Sequence, residues 1–179
     1  MQHRKGQSGF SLIELLIVVA IIGIIASIAI PNLMASRRAA NEGSAISSIR
    51  TLHSCEATYQ VTSGVGNYGS LAQLRAVNLI DAVLGGGTGS SANIKSGYKF
   101  QVVTQDFPTV VQADFQATGI PTSSSGVIQT GTRRFGVDAT GIIRFDATAS
   151  SLGTHMAISG SASGTADFNP TTGKTPLGN

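Results

Sequence analysis

The first strong signal along the chain is an unbroken apolar run. From Phe10 to Ile30 the sequence reads FSLIELLIVVAIIGIIASIAI, 21 residues with one charge, Glu14. As a helix rising 1.5 Å per residue this run is about 30 Å long, the thickness of a bilayer's hydrocarbon core. Pro31 follows; it lacks a backbone donor and its ring clashes with the preceding turn, so a kink or a locally unwound stretch is expected there, which Asn32 suits. Beyond it the pattern becomes amphipathic. Ile46, Ile49, Leu52, Cys55 and Tyr59 recur three or four positions apart among polar neighbours, which predicts a helix with one apolar stripe. Arg37, Arg38, Glu42 and Arg50 read as its solvated face. Ser63-Gly64-Val65-Gly66-Asn67 then stops the helix.

A second helical segment is expected over Leu71 to Leu84, with Leu71, Leu74, Val77 and Ile80 at helical spacing. After a flexible Gly85–Ser91 loop the period changes from helical to alternating. Tyr98 to Thr104 and Val110 to Thr118 set apolar against polar residues at every second position, and Arg133 to Val137 and Ile142 to Phe145 flank Asp138-Ala139-Thr140-Gly141, a type I turn sequence. The reading is an α+β fold: a long N-terminal helix, half membrane-spanning and half amphipathic, packed on a small antiparallel sheet of three or four strands. The Ile46–Tyr59 stripe is the only long amphipathic surface on hand to cover that sheet. From Ala147 onward Ser, Gly, Thr and Ala dominate, with His155-Met156-Ala157-Ile158 the one apolar cluster, and this reads as a mobile or draped tail.

The apolar run has three ordinary explanations, and each fails on a particular residue. A core helix of so small a domain would show a polar face. A secretory h-region is shorter, about 7 to 15 residues, although Ser27-Ile28-Ala29 loosely fits its cleavage pattern. A plain anchor has no use for Glu14, because an acidic group within a span costs on the order of 2–3 kcal/mol. The carboxylate needs a partner.

The residues around it, Gly9-Phe10-Ser11-Leu12-Ile13-Glu14, resemble the type IV prepilin signature of the type IV pilin and pseudopilin family: a short basic leader ending in Gly, then Phe, then Glu as fifth residue of the mature chain. Pro31 matches a family proline at the twenty-second mature position. The resemblance implies that a membrane peptidase cuts between Gly9 and Phe10, that Phe10 is N-methylated, and that Glu14 pairs with the N-terminal amine of a neighbouring copy. On that reading the segments are a leader 1–9, an assembly helix 10–30, its amphipathic continuation 31–62, a globular domain 63–146 and a tail 147–179. Implied partners are prepilin peptidase/N-methyltransferase, other copies in a helical filament, the inner membrane before assembly, and a pilus or secretion assembly platform. Arg4 and Lys5 ahead of the span place the N-terminus in the cytoplasm by the positive-inside rule, a signal that Arg37 and Arg38 weaken. A main pilin, a secretion pseudopilin and a membrane-anchored minor pilin or adhesin all remain open.

Composition narrows the rest. Charged residues make up only 12% of the chain and the net charge is +3, so much of the surface is uncharged and polar. The basic pairs Arg4-Lys5, Arg37-Arg38 and Arg133-Arg134 have no interleaved aromatics, which argues against nucleic-acid binding. A single cysteine, Cys55, excludes an intrachain disulfide. His3, His53 and His155 lack ligand spacing, Asp138, Asp146 and Asp167 are too scattered for a calcium loop, and no serine sits in a nucleophile elbow. Gly173-Lys174-Thr175 imitates the end of a phosphate loop, but Phe168 stands where the first Gly belongs. No enzymatic activity, cofactor or metal is expected.

Overall fold

The computed structural model describes residues 10–86, 93–105, 113–156 and 175–177. The chain divides into two compact units, one ending at Ser36 and the other beginning at Arg37. Helix α1, Leu12–Thr62, contributes to both.

In the first unit α1 carries its apolar residues on every side, and the large ones from Phe10 to Leu33 are all exposed. Full burial of a Leu or Ile side chain is worth roughly 1.5–3 kcal/mol, so this surface is strongly driven to leave water. Ser27 Oγ and Ser36 Oγ donate to the carbonyls of Ile24 and Asn32, so even the polar residues here satisfy themselves on the helix backbone. Pro31 lies inside the helix, and helical structure continues through it. The locally unwound stretch is therefore absent: the lost donor is one bond in a ladder that closes again on either side.

The second unit is built on the rest of α1. Its buried positions are Glu42, Ala45, Ser48, Ile49, Leu52, Glu56 and Tyr59, with Ile46 and Cys55 partly buried beside them. This is the stripe read from the sequence, with one correction: Glu42 belongs to it, not to the solvated face, because Arg133, in the loop just ahead of the strand that starts at Arg134, neutralises it. Arg37 and Arg50 are exposed. The helix ends where Gly66, at φ +91°, takes a left-handed conformation and its N–H donates to the Gln60 carbonyl.

The expected helix over Leu71–Leu84 is two short helices, α2 (Leu71–Ala76) and α3 (Ala82–Gly85). Asn78 at φ +58° turns the chain left-handed, and the Asp81 carboxylate accepts from the Leu84 N–H at 2.8 Å as a new N-cap. Polar groups that bond the local backbone thus override the apolar spacing. Ser70 and Gln73 form a capping box at the start of α2.

Strands β1 (Ile94–Lys95), β2 (Tyr98–Gln105), β3 (Asp114–Pro121), β4 (Arg134–Asp138), β5 (Arg144–Asp146) and β6 (Thr175–Pro176) form one antiparallel sheet in sequence order. The count exceeds the three or four expected because β1 and β6 have two residues each, too short to show a period. Residues 110–112 of the second expected strand lie outside the described residues. Between β4 and β5 the Gly141 N–H donates to the Asp138 carbonyl at 3.0 Å and Gly141 has φ +77°, so the Asp138–Gly141 turn forms as read. Alternation sends Tyr98, Phe100, Phe115, Ala117, Phe135 and Val137 into one core with the α1 stripe.

The sheet's other face is buried as well, and it is polar. Gln116, Thr118, Arg134, Arg144 and Asp146 are all under 9% exposed. Part of their cover is chain beyond Ala147, where Leu152 and Met156 are buried, His155 Nδ1 lies 2.6 Å from Thr118 Oγ1, and Arg134 donates to the Thr154 carbonyl. The first ten residues of the supposed tail are thus packed structure, and residues 175–176 add a strand.

Candidate functional site

Phe10 precedes α1 and is 85% exposed. Ser11 is the N-cap position; the Ser11 carbonyl accepts from the N–H groups of Glu14 and Leu15, and the Glu14 carboxylate reaches back to accept from the Ser11 N–H at 3.0 Å. That is the acidic half of a capping box, with the negative charge where the helix dipole favours it. The carboxylate is held one turn from Phe10 and stays exposed. In an apolar environment it has no other charge on the described part of the first unit to meet it. Gly9, the other residue of the expected cleavage site, lies outside the described residues, as do Arg4, Lys5, Asp167 and Gly173-Lys174. Among the described residues one helix is long and apolar enough to cross a membrane, and its apolar window begins near the N-terminus. No group of three or more potential metal-binding side chains occurs among them.

Three charged arrangements in the second unit escaped the sequence reading. Glu42 accepts from the Thr132 N–H and Oγ1, both at 2.7 Å, and pairs with Arg133 at 2.7 Å. Burial alone would raise its carboxyl, but these hydrogen bonds and the guanidinium outweigh it and hold the pKa below the usual value. Arg134 and Asp146 face each other across β4 and β5 as a buried ion pair at 2.7 Å. Glu56 is fully buried; one oxygen accepts from the Gly69 N–H at 2.9 Å while Oε1 has no hydrogen-bond partner among the described residues. Desolvation pushes its pKa up to about 7, against the lowering effect of the Gly69 N–H.

The signal for two of these was present in the spacing. Positions 42, 45, 49, 52, 56 and 59 form one helical stripe, and a carboxylate on such a stripe is either paired or neutral when folded. Cys55 is partly buried, donates to the Leu79 carbonyl at 3.1 Å, and has its thiol pKa raised by burial and by Glu56. His53 and Gly141 line a shallow groove with Arg50, Ser54, Val137 and Ile143. Neither the groove nor the thiol carries a set of reacting groups.

The prokaryotic N-terminal methylation motif matches residues 4–30. The type II secretion system core protein G of Aeromonas hydrophila is 41% identical over 61 residues, 34% of this chain and 42% of that protein. The corresponding protein of Vibrio cholerae is 34% identical over 65 residues, covering 36% and 44%. The type IV wide pilus major component PilA4 of Thermus thermophilus is 58% identical over 38 residues, 21% and 29%. The chain thus spans less than half the length of each of these relatives, and no solved structure matches it. The methylation motif falls on the very residues that hold Phe10 and Glu14, and over its N-terminal third this chain is similar to both pilins and pseudopilins.

Proposed function

We propose that the chain is a structural subunit of a type IV pilus-like filament. A peptidase cuts between Gly9 and Phe10, Phe10 is N-methylated, and the apolar part of α1 leaves the inner membrane to bundle with copies of itself. The observation that carries this reading is Glu14, the one charged side chain among the described residues of the first unit, exposed one turn from the future N-terminus on a helical segment whose large apolar residues lie on every side. Cleavage creates an ammonium at Phe10. In a low-dielectric bundle either charge alone would cost several kcal/mol, whereas an amine from one copy and Glu14 from the next neutralise each other and set the axial register. The precursor rests in the inner membrane with its N-terminus cytoplasmic, and the product is an extracellular pilus. A periplasmic pseudopilus of a type II secretion system is the second reading, favoured by the secretion-system relatives; a minor pilin or anchored adhesin uses the same helix with fewer copies. The role is one of assembly, with no catalytic step and no cofactor.

Intact mass of the protein from its native envelope tests processing: loss of residues 1–9 with a gain of one methyl group is expected, and an unprocessed chain or cleavage after Ala29 refutes the proposal. Filament counting tests assembly. Glu14→Ala abolishes filaments while the precursor still reaches the membrane; unchanged filament number and length would overturn the subunit role.

A further inference from the structure

The second unit holds one hydroxyl that its own fold does not use. Ser48 is the only buried serine or threonine of α1, 6% exposed, and its Oγ has no hydrogen-bond partner among the described residues. Its neighbours on the helix behave otherwise. Thr51, Ser54, Thr58 and Thr62 each donate to the carbonyl four positions back, and Ser44 Oγ donates to Ser96 Oγ at 2.9 Å. Returning the hydroxyl to the helix backbone is the ordinary way to satisfy it, and a buried hydroxyl left unanswered is destabilising.

Ser48 lines a cleft of about 320 Å³ between α1, the link from α2 to α3, α3 itself and β1. That volume lies at the small end of the range for small-molecule sites. Leu79, Ile80 and Leu84 give the cleft an aliphatic wall, and exposed Ser47 borders it on α1. Asp81 and Lys95 line it too, 3.0 Å apart and partly exposed, so its two charges cancel. The lining is fixed before any ligand arrives. Lys95 pairs with Tyr98 across a two-residue turn in which Ser96 and Gly97 lie at φ +49° and +72°, and Ser96 is the residue that Ser44 holds. Asp81 rests one oxygen on the Leu84 N–H and the other on Lys95.

The chemistry of the cleft selects its occupant. A wholly apolar ligand would leave Ser48 unanswered and strip water from Asp81 and Lys95, and a charged one would compete with their pairing. A ring with hydroxyls at its edge and C–H groups on its face meets both demands. From the unpartnered buried hydroxyl, the aliphatic wall and the neutral charge pair, we propose that this cleft binds a single neutral sugar residue, such as the end unit of a glycan. Ser48 Oγ exchanges a hydrogen bond with a ring hydroxyl, the sugar's C–H face packs on Leu79, Ile80 and Leu84, and Asp81 accepts and Lys95 donates at the edge. The site lies wholly in the second unit and does not depend on the filament reading.

The full chain, in a detergent that carries no sugar, is mixed with the methyl glycosides of glucose, galactose, mannose and N-acetylglucosamine. Each is present at about 10 mM, above the ~1 mM dissociation constant expected of one weakly held ring. Saturation-transfer NMR should show transfer from the protein to the ring protons of at least one of them. Ser48→Ala should weaken that binding about fivefold, and Ser47→Trp, which plugs the cleft, should abolish it. Ser54→Ala, whose hydroxyl is spent on the Arg50 carbonyl, should leave it unchanged. Near-ultraviolet circular dichroism of the tyrosines confirms that each variant is folded. Binding that Ser48→Ala leaves unchanged overturns the proposal, and so does a preference for methyl glucuronide over methyl glucoside, because a charged ring contradicts the neutral cleft. Absence of transfer to every glycoside overturns it as well and leaves the cleft to water. If Ser47→Trp then stops filament assembly, the cleft is the seat of a second copy, and the sugar proposal falls while the filament reading stands.

Discussion

Replacing Glu56 with Gln offers the sharpest test of how the domain is held together. The carboxyl is fully buried on α1, beside Cys55 and near Tyr68, with the Gly69 N–H its one hydrogen-bond donor among the described residues. Its pKa rises from 4.5 to about 7 on folding. A group whose folded pKa is raised contributes its full stability below the unfolded value and loses it as pH climbs through the folded one. The window therefore runs from about pH 4.5 to about pH 7, and at 1.36 kcal/mol per unit the loss is about 3 kcal/mol. Glu56→Gln keeps the acceptor for Gly69 and removes the titration. Tyr59, Tyr68 and Tyr98 are the only tyrosines and all lie in the second unit, so denaturant unfolding of the full chain in detergent can be followed by their near-ultraviolet circular dichroism. The stability of wild type minus that of the variant should fall by roughly 3 kcal/mol between about pH 4.5 and pH 7.5. A difference that stays flat would refute the reasoning, because it would mean Glu56 is ionised and solvated in the folded protein.

The other predictions concern the sheet. His155 has its pKa pushed down to about 4 by burial and by Lys99 and Arg134; its stability is complete above 6.5 and is lost as pH falls toward 4, opposite in sign to Glu56, so His155→Gln should make the chain less sensitive to acid in the same denaturant assay. Wild type should consequently change little between pH 5 and 6.5, where the two effects oppose each other, while each single variant tilts its own way. Asp146→Asn strands the buried Arg134 guanidinium and should lower unfolding stability by about 3–5 kcal/mol, whereas Arg134→Met with Asp146→Leu should recover most of that loss. In Gly131→Ala the new Cβ would overlap the Tyr98 hydroxyl, which donates to the Arg133 carbonyl at 2.7 Å; a destabilisation of about 1–3 kcal/mol is expected, together with an altered Tyr98 signal.

The elements that could be read from the sequence are those whose cause is local. The apolar run to Ile30 needs no partner to be recognised, because its length and its lack of a polar face are properties of the segment itself. The Ile46–Tyr59 stripe and the alternation of Tyr98, Phe100 and Val102 follow from the geometry of a helix and a strand. The turn at Asp138–Gly141 follows from the residues that occupy it. Glu14 stood out for the same reason, since a lone acid in an apolar run is conspicuous without any knowledge of the fold.

What the sequence left undecided depends on residues far apart in the chain. Glu42 looked solvated because its partner, Arg133, is 91 positions away. Whether Glu56 is neutral or ionised depends on how completely the loop at Gly69 and the sheet exclude water from it. The polar face of the sheet could not be told from an exposed one, because its cover comes from a Ser- and Gly-rich segment whose composition suggests none. Period and composition report which side of an element is apolar; only the tertiary structure decides which polar side is also dry, because that depends on the charge, backbone donor or chain segment that packing brings against it.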